Sequence, residues 1–171
     1  MDDPAFWKVI KRARSEADGD TDAIAEGVYE QLTQLSPAEI QSFHAILESK
    51  VNAAYSWKLW GAAYLLNGGC SDDGFYYFRG WLIAQGQKAY EAAVADPDTL
   101  AKFADPEDDF HECEDLLSAP TRAYESVTGK EFPYPETTAP TPPTPSGEDW
   151  DFDDMDATAQ HLPRLARIYN Q

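Results

Sequence analysis

The sequence predicts an all-α fold, and three observations carry that prediction. Apolar residues recur every three or four positions through most of the chain, which is the spacing of one buried helix face. The segments that carry them are bracketed by capping residues and glycine stops. No stretch shows the strong two-residue alternation of a half-buried strand. A length of 171 residues fits one domain with a tail, and 43% apolar residues with five Trp, nine Tyr and eight Phe can fill one sizeable core.

In the first segment Asp3 can cap and Pro4 takes the first helical position, where a missing N–H costs nothing; Phe6, Val9, Ile10 and Ala13 form its stripe. A second helix starts near Asp20 and carries Ile24, Val28, Leu32 and Leu35. Ser36-Pro37-Ala38-Glu39 has the form of a capping box, in which hydroxyl and carboxylate each satisfy an orphan amide. That helix runs through Ile40, Phe43, Leu47 and Val51 to about Ala54. Trp57, Trp60, Ala63 and Tyr64 keep the spacing into a fourth helix, which stops at Asn67-Gly68-Gly69. The next helix is expected after Asp72-Asp73-Gly74, where a carboxylate can cap free amides, and it buries Phe75, Phe78, Leu82 and Ile83. Gly80 and Gly86 weaken or bend it before Ala89, Tyr90, Ala93 and Val94 continue the pattern. Turns at Pro97 and Pro106 lead to a last helix over about 109–128, with Cys113, Leu116, Leu117 and Tyr124 facing in and Pro120 as a point where it can divide. The main domain thus has six or seven helices.

Charge and proline divide the chain further. Lys and Arg number 13 against 31 Asp and Glu, a net charge of −18, and most of the excess falls after residue 95. Residues 133–147, with six prolines and four threonines, read as an extended linker of polyproline character. The predicted organisation is a main domain over 1–132, the linker, and then residues 148–171. This last part joins an acidic segment to one short amphipathic helix over Asp156–Tyr169. A pI near 4.3 argues against direct binding to nucleic acid or to an anionic membrane. There is no run of ~18 apolar residues to span a bilayer. With no signal-peptide pattern at its start and too few cysteines for a disulfide framework, the chain is expected in the cytoplasm.

The segment from Trp57 to Ile83 is unusually dense in aromatic, glycine and acidic residues at a helix-to-helix junction. It resembles the signature of a bacterial family, domain of unknown function 4240 (DUF4240). The resemblance also takes in Phe6-Trp7, Ala95-Asp96-Pro97-Asp98-Thr99-Leu100, Glu112-Cys113-Glu114, Ala123-Tyr124-Glu125 and the terminal Leu162-Pro163-Arg164-Leu165. It implies a helical fold and a bacterial cytosolic setting, with no established activity.

Within that segment Asn67, Gly68, Gly69, Cys70, Asp72, Asp73 and Arg79, flanked by Trp57 and Trp60, form the candidate ligand site. Glycines admit backbone amides to a ligand, aspartates offer hard oxygen atoms, and Arg79 can clamp an anion at the helix start. The plainer alternative is a glycine stop, a capped helix and tryptophans at core spacing. The segment lacks the Lys-Ser or Lys-Thr end of a P-loop, and no cofactor is called for. His111, Glu114 and Asp115 would share one side of a helix and are weak metal candidates, short of the four matched ligands of a structural zinc site. Cys70 before a helix start could be activated, but no histidine is placed beside it by spacing. Two readings of function follow. The first is a non-catalytic interaction or regulatory protein that meets a protein partner with a basic surface. The second is a small enzyme or a ligand- or metal-binding protein centred on Asn67–Arg79.

Overall fold

The structure, a computed structural model, describes residues 1–106, 110–134 and 142–169. The fold is all-α. Among the described residues there is no strand, only an isolated bridge between Ser56 and Ser146. Helix α1 spans Asp3–Glu16, α2 Thr21–Leu32, α3 Pro37–Ala53, α4 Trp57–Leu66, α5 Asp72–Ala84 and α6 Gln87–Ala95. A 3-10 helix over Pro97–Phe103 leads on to α7, Glu114–Thr128, and beyond the linker lie α8, Met155–His161, and α9, Pro163–Tyr169. Among the described residues no helix is long and apolar enough to cross a membrane.

The starts follow the local chemistry with small shifts. Asp2, one residue earlier than expected, caps α1 by accepting from the Ala5 amide at 2.9 Å. Asp20 caps α2, and Ser36 with Glu39 closes the capping box of α3 in both directions. Helix α5 is capped by Ser71, whose Oγ accepts from the Gly74 amide at 3.1 Å. Asp72 and Asp73 therefore sit in the first turn, where they meet the positive helix end without capping it. Gly86, at φ +88°, makes the break between α5 and α6.

Helix α5 lies at the centre, touching α1, α2, α3, α4, α6 and α7, and its Phe75, Phe78, Leu82 and Ile83 are wholly buried. Gly80 is needed there because a Cβ would stand 2.5 Å from the Cys113 carbonyl oxygen. The expected start of α7 near 109 is corrected: residue 109 lies outside the described residues, 110–113 are not helical, and the helix begins at Glu114. The Cys113 amide donates to the Tyr77 carbonyl at 3.0 Å, so a tertiary bond to α5 replaces the local helical one. Nor does Pro120 divide α7. The helix runs through it and packs against α2, α3 and α5.

The C-terminal segment folds back on this body. The Ser146 amide donates to the Tyr55 carbonyl and the Trp57 amide to the Ser146 carbonyl, laying the chain against the start of α4. Trp150 covers Gly61 so closely that any side chain there would overlap its ring. The expected single terminal helix is two, because Pro163 disfavours a helical Leu162 and restarts the chain as α9. Leu162 and Leu165 join the main core with no exposed surface. Asp98 accepts from the Arg164 and Leu165 amides at 3.0 and 2.9 Å and from Arg164 Nε at 2.9 Å. It thus caps α9 from the 3-10 helix, while Asp96 holds Arg164 Nη2 at 2.6 Å and Lys58 at 3.2 Å. Of the expected linker, residues 135–141 lie outside the described residues.

Candidate functional site

The loop between α4 and α5 turns on two glycines in the left-handed region, Gly68 at φ +62° and Gly69 at φ +126°. This lets the Gly69 amide reach back to the Tyr64 carbonyl at 2.8 Å. Trp60 Nε1 donates to the Cys70 carbonyl at 3.0 Å, and Ser71 then starts α5. Asn67 points the other way: its Oδ1 accepts from the His111 amide at 3.0 Å and lies 3.2 Å from His111 Nδ1. One side-chain amide thus fastens the segment before α7 across the loop, and its Nδ2 is buried without a partner among the described residues. Glu112 rides over the first turn of α5, with Oε1 3.1 Å from where a Cβ of Gly74 would be.

Trp57 and Trp60 stack at 5.5 Å, Trp60 and Phe75 at 4.9 Å, and the column continues through Phe78 to Trp81, against which His111 sits edge-on at 4.7 Å. Trp57 and Trp60 are half-buried, so they form one wall of the loop as well as a rim of the core.

Arg79 is placed differently from the clamp expected at the helix start. It lies two turns into α5, is 5% exposed, and turns toward the end of α3. Nη1 donates to the Val51 carbonyl at 3.0 Å and Nε to the Phe75 carbonyl at 3.2 Å. Tyr90 donates to the neighbouring Lys50 carbonyl at 2.8 Å, which also accepts from the Ala54 amide, so the two side chains together serve carbonyls at the negative end of α3. The guanidinium carbon is 4.8 Å from the ring centres of both Tyr55 and Phe75 and 5.5 Å from that of Tyr76. No carboxylate is within ion-pair distance among the described residues, and Glu48 is reached only through Tyr76, whose hydroxyl is 3.5 Å from Oε1.

The electrostatics weigh against a nucleophile. Burial first, and then Glu112, push the Cys70 thiol up to about 12 against the opposing pull of Arg79. Cys113 is pushed up to about 11, chiefly by burial. Both stay protonated at neutral pH and so lack the thiolate that attack requires. Glu112 is held above the ordinary carboxylate range by burial and by Glu114. The Tyr77 hydroxyl is raised by the charge of Glu114, then by burial and a hydrogen bond to Glu114, and further by Asp73 and Glu112, so three carboxylates act on one phenol.

The metal candidates do not share a helix side. His111 is buried against Trp81 ahead of the helix, whereas Glu114 and Asp115 are exposed in the first turn of α7. Among the described residues no three His, Cys, Asp or Glu gather as a metal site. The structure thus sets Asn67, Gly68, Gly69 and Cys70 in the loop beside Trp60, Asp72 and Asp73 in the first turn of α5, and Arg79 two turns further along it. It adds Glu48, Tyr55, Tyr76, Tyr77 and Glu112, none of which is among the site candidates the sequence offers. Tyr76 and Arg79, three apart on one helix, carried a signal; Glu112, over thirty residues beyond Gly74, carried none.

No curated protein and no solved structure matches the chain. A family model described as a protein of unknown function (DUF4240) matches residues 1–126, from α1 into the last turn of α7. That span holds the whole loop, the aromatic column, Arg79 and the Asp96–Asp98 pair, and leaves the docked tail outside. With its first 126 residues matched, the chain belongs to the DUF4240 family.

Proposed function

We propose that this protein is a non-catalytic binding protein whose acidic face at the start of α5 receives basic side chains of a protein partner. What supports this reading is that the carboxylates of Asp73, Glu112 and Glu114, at the starts of α5 and α7, all act on the hydroxyl of the half-buried Tyr77. Among the described residues none of these carboxylates, nor Asp72, has an ion-pair partner. Among the described residues the pairs that do form serve other places: Arg12 with Glu16, Lys50 with Asp3, Lys58 with Asp96, Arg164 with Asp96 and Asp98, and Arg122 with Glu26 and Asp115. A lysine or arginine would find carboxylates and an aromatic ring together there, a combination that favours a cation. The raised thiols of Cys70 and Cys113 support binding over covalent chemistry.

Calorimetric titration with an oligolysine peptide at two salt concentrations tests the reading. Binding should weaken with salt, and Asp73→Asn with Glu114→Gln should reduce affinity roughly fivefold, on the scale of two exposed ion pairs. The pair Glu148→Gln and Asp149→Asn removes the same charge from the tail and should change little. Equal losses in the two double variants would mean that only net charge is sensed.

A further inference from the structure

We infer that Arg79 is the anchor of a second site, one that takes a single oxyanion group, a carboxylate or a phosphate monoester, at the junction of α3, α4 and α5. A guanidinium has five N–H donors in a fixed fork. Two are engaged, by the carbonyls of Phe75 and Val51, and the terminal nitrogens keep three without a protein acceptor among the described residues. A buried cation is ordinarily matched by a carboxylate, because taking it out of water without a counter-charge costs several kcal/mol. Here the rings of Tyr55, Phe75 and Tyr76 and two carbonyls offset part of that cost and leave the charge formally unanswered.

The surroundings fit a small anion. Tyr55 and Tyr76, whose rings flank the guanidinium, are half-buried, while Arg79 keeps 5% of its surface exposed. The free part of the fork can give two parallel N–H bonds to one carboxylate or phosphate, the arrangement for which arginine is suited and lysine is not. Cys70 is close enough to feel the charge of Arg79, and as a neutral thiol it does not repel an anion. Among the described residues Glu48, held at Tyr76, is the carboxylate that acts on the fork and does repel one, which favours a singly charged group over a polyphosphate. This site is independent of the acidic face proposed above, since it binds the opposite charge through different residues.

The test is thermal unfolding of the full chain in sodium phosphate and in sodium acetate, against sodium chloride at matched ionic strength. The chloride arm is needed because salt alone relieves self-repulsion in so acidic a protein. A saturable rise in Tm of roughly 3–6 °C at ten times the Kd is expected with at least one oxyanion, and the two arms tell a phosphate site from a carboxylate site. Arg79→Lys should raise that Kd at least tenfold. Glu48→Gln should tighten binding severalfold, whereas Glu30→Gln, which removes the same charge from α2, should not. The inference fails if neither oxyanion exceeds chloride, or if folded Arg79→Lys keeps the full response. Should Arg79→Lys not fold, equal responses in Glu48→Gln and Glu30→Gln would overturn it.

Discussion

The tail clasp and the start of α5 both set charged side chains against the core of the same acidic chain, and they treat those charges in opposite ways. At the clasp Asp98 is 3% exposed and accepts two backbone amides and a guanidinium, while Asp96 takes Lys58 and the other end of Arg164. Every charge is answered. At α5 Arg79 has no carboxylate, and Asp72, Asp73, Glu112 and Glu114 have no base among the described residues. Residues of closely similar type hold structure in one place and stand ready to bind in the other. The difference lies in whether hydrogen bonds and charges are closed within the chain.

The clasp should therefore be the costlier of the two to break. Asp98→Ala leaves two amides and a guanidinium without their acceptor, and a loss of about 3–5 kcal/mol is expected from the denaturation midpoint. Fluorescence of Trp150, which packs over Gly61, should report the tail coming away. A change below about 1 kcal/mol would mean that the closed charges do not hold the tail. A chain ending after Phe132 sharpens the point. It should still melt cooperatively, at a lower temperature, since the core of α1 to α7 remains; a molten product would make the tail an inseparable part of the fold.

Within the α5 region the expected cost falls on packing. Gly80→Ala brings a Cβ to 2.5 Å from the Cys113 carbonyl and 3.0 Å from Leu117 Cγ, so α5 and α7 must move apart. A loss of about 1–3 kcal/mol is expected. Gly68→Ala meets nothing within 4 Å and carries only the strain of φ +62°, about 1 kcal/mol. Reversal of that order would place the constraint in the loop instead of the helix contact.

What was legible follows from the range over which each feature is decided. The capping box of α3 joins Ser36 to Glu39, and the sequence shows both partners at once. Asp98 and Arg164 were visible only as two family-like segments 66 residues apart, with no local sign that one caps the other. Arg79 stood out by type within its loop. Its direction, toward the Val51 carbonyl, is decided by how α3 crosses α5. The late start of α7 had the same cause: an acid-rich stretch can begin a helix at several points, and the bond from Cys113 to Tyr77 selects one.

Acid should act on the two regions with opposite sign. Asp96 is half-buried, and that partial burial alone would raise its carboxyl, but the bond and charge of Lys58, the Asp98 amide and Arg164 bring it below the ordinary value of 3.8. A depressed carboxyl stabilises above its unfolded pKa and loses that contribution as pH falls through the folded one. Glu112 is raised above 4.5, so its contribution is present below 4.5 and lost as pH rises through its folded value. Glu112→Gln should accordingly be more stable than the parent at pH 7, with the gap closing on acidification. Asp96→Asn should be less stable at pH 7 and converge with the parent only below the ordinary pKa of Asp96. Parallel pH profiles for the two variants would remove the electrostatic contrast between the regions.

The smallest effect tests whether the aspartates of α5 are structural at all. Ser71 supplies the cap, so Ser71→Ala should cost about 0.5–2 kcal/mol by leaving the Gly74 amide without its acceptor. Asp72 and Asp73 follow the cap, are exposed, and accept no hydrogen bond among the described residues. Each has only its attraction to the positive end of the helix, below about 1 kcal/mol and screened by salt. That gain is opposed by repulsion in a chain of net charge −18, which is relieved when either charge is removed. Asp72→Asn and Asp73→Asn should thus leave the denaturation midpoint nearly unchanged, and Asp73→Asn should still weaken binding of a basic peptide. A stability loss at Asp72 or Asp73 as large as that at Ser71 would make these carboxylates part of the cap and close the charges that distinguish α5 from the clasp.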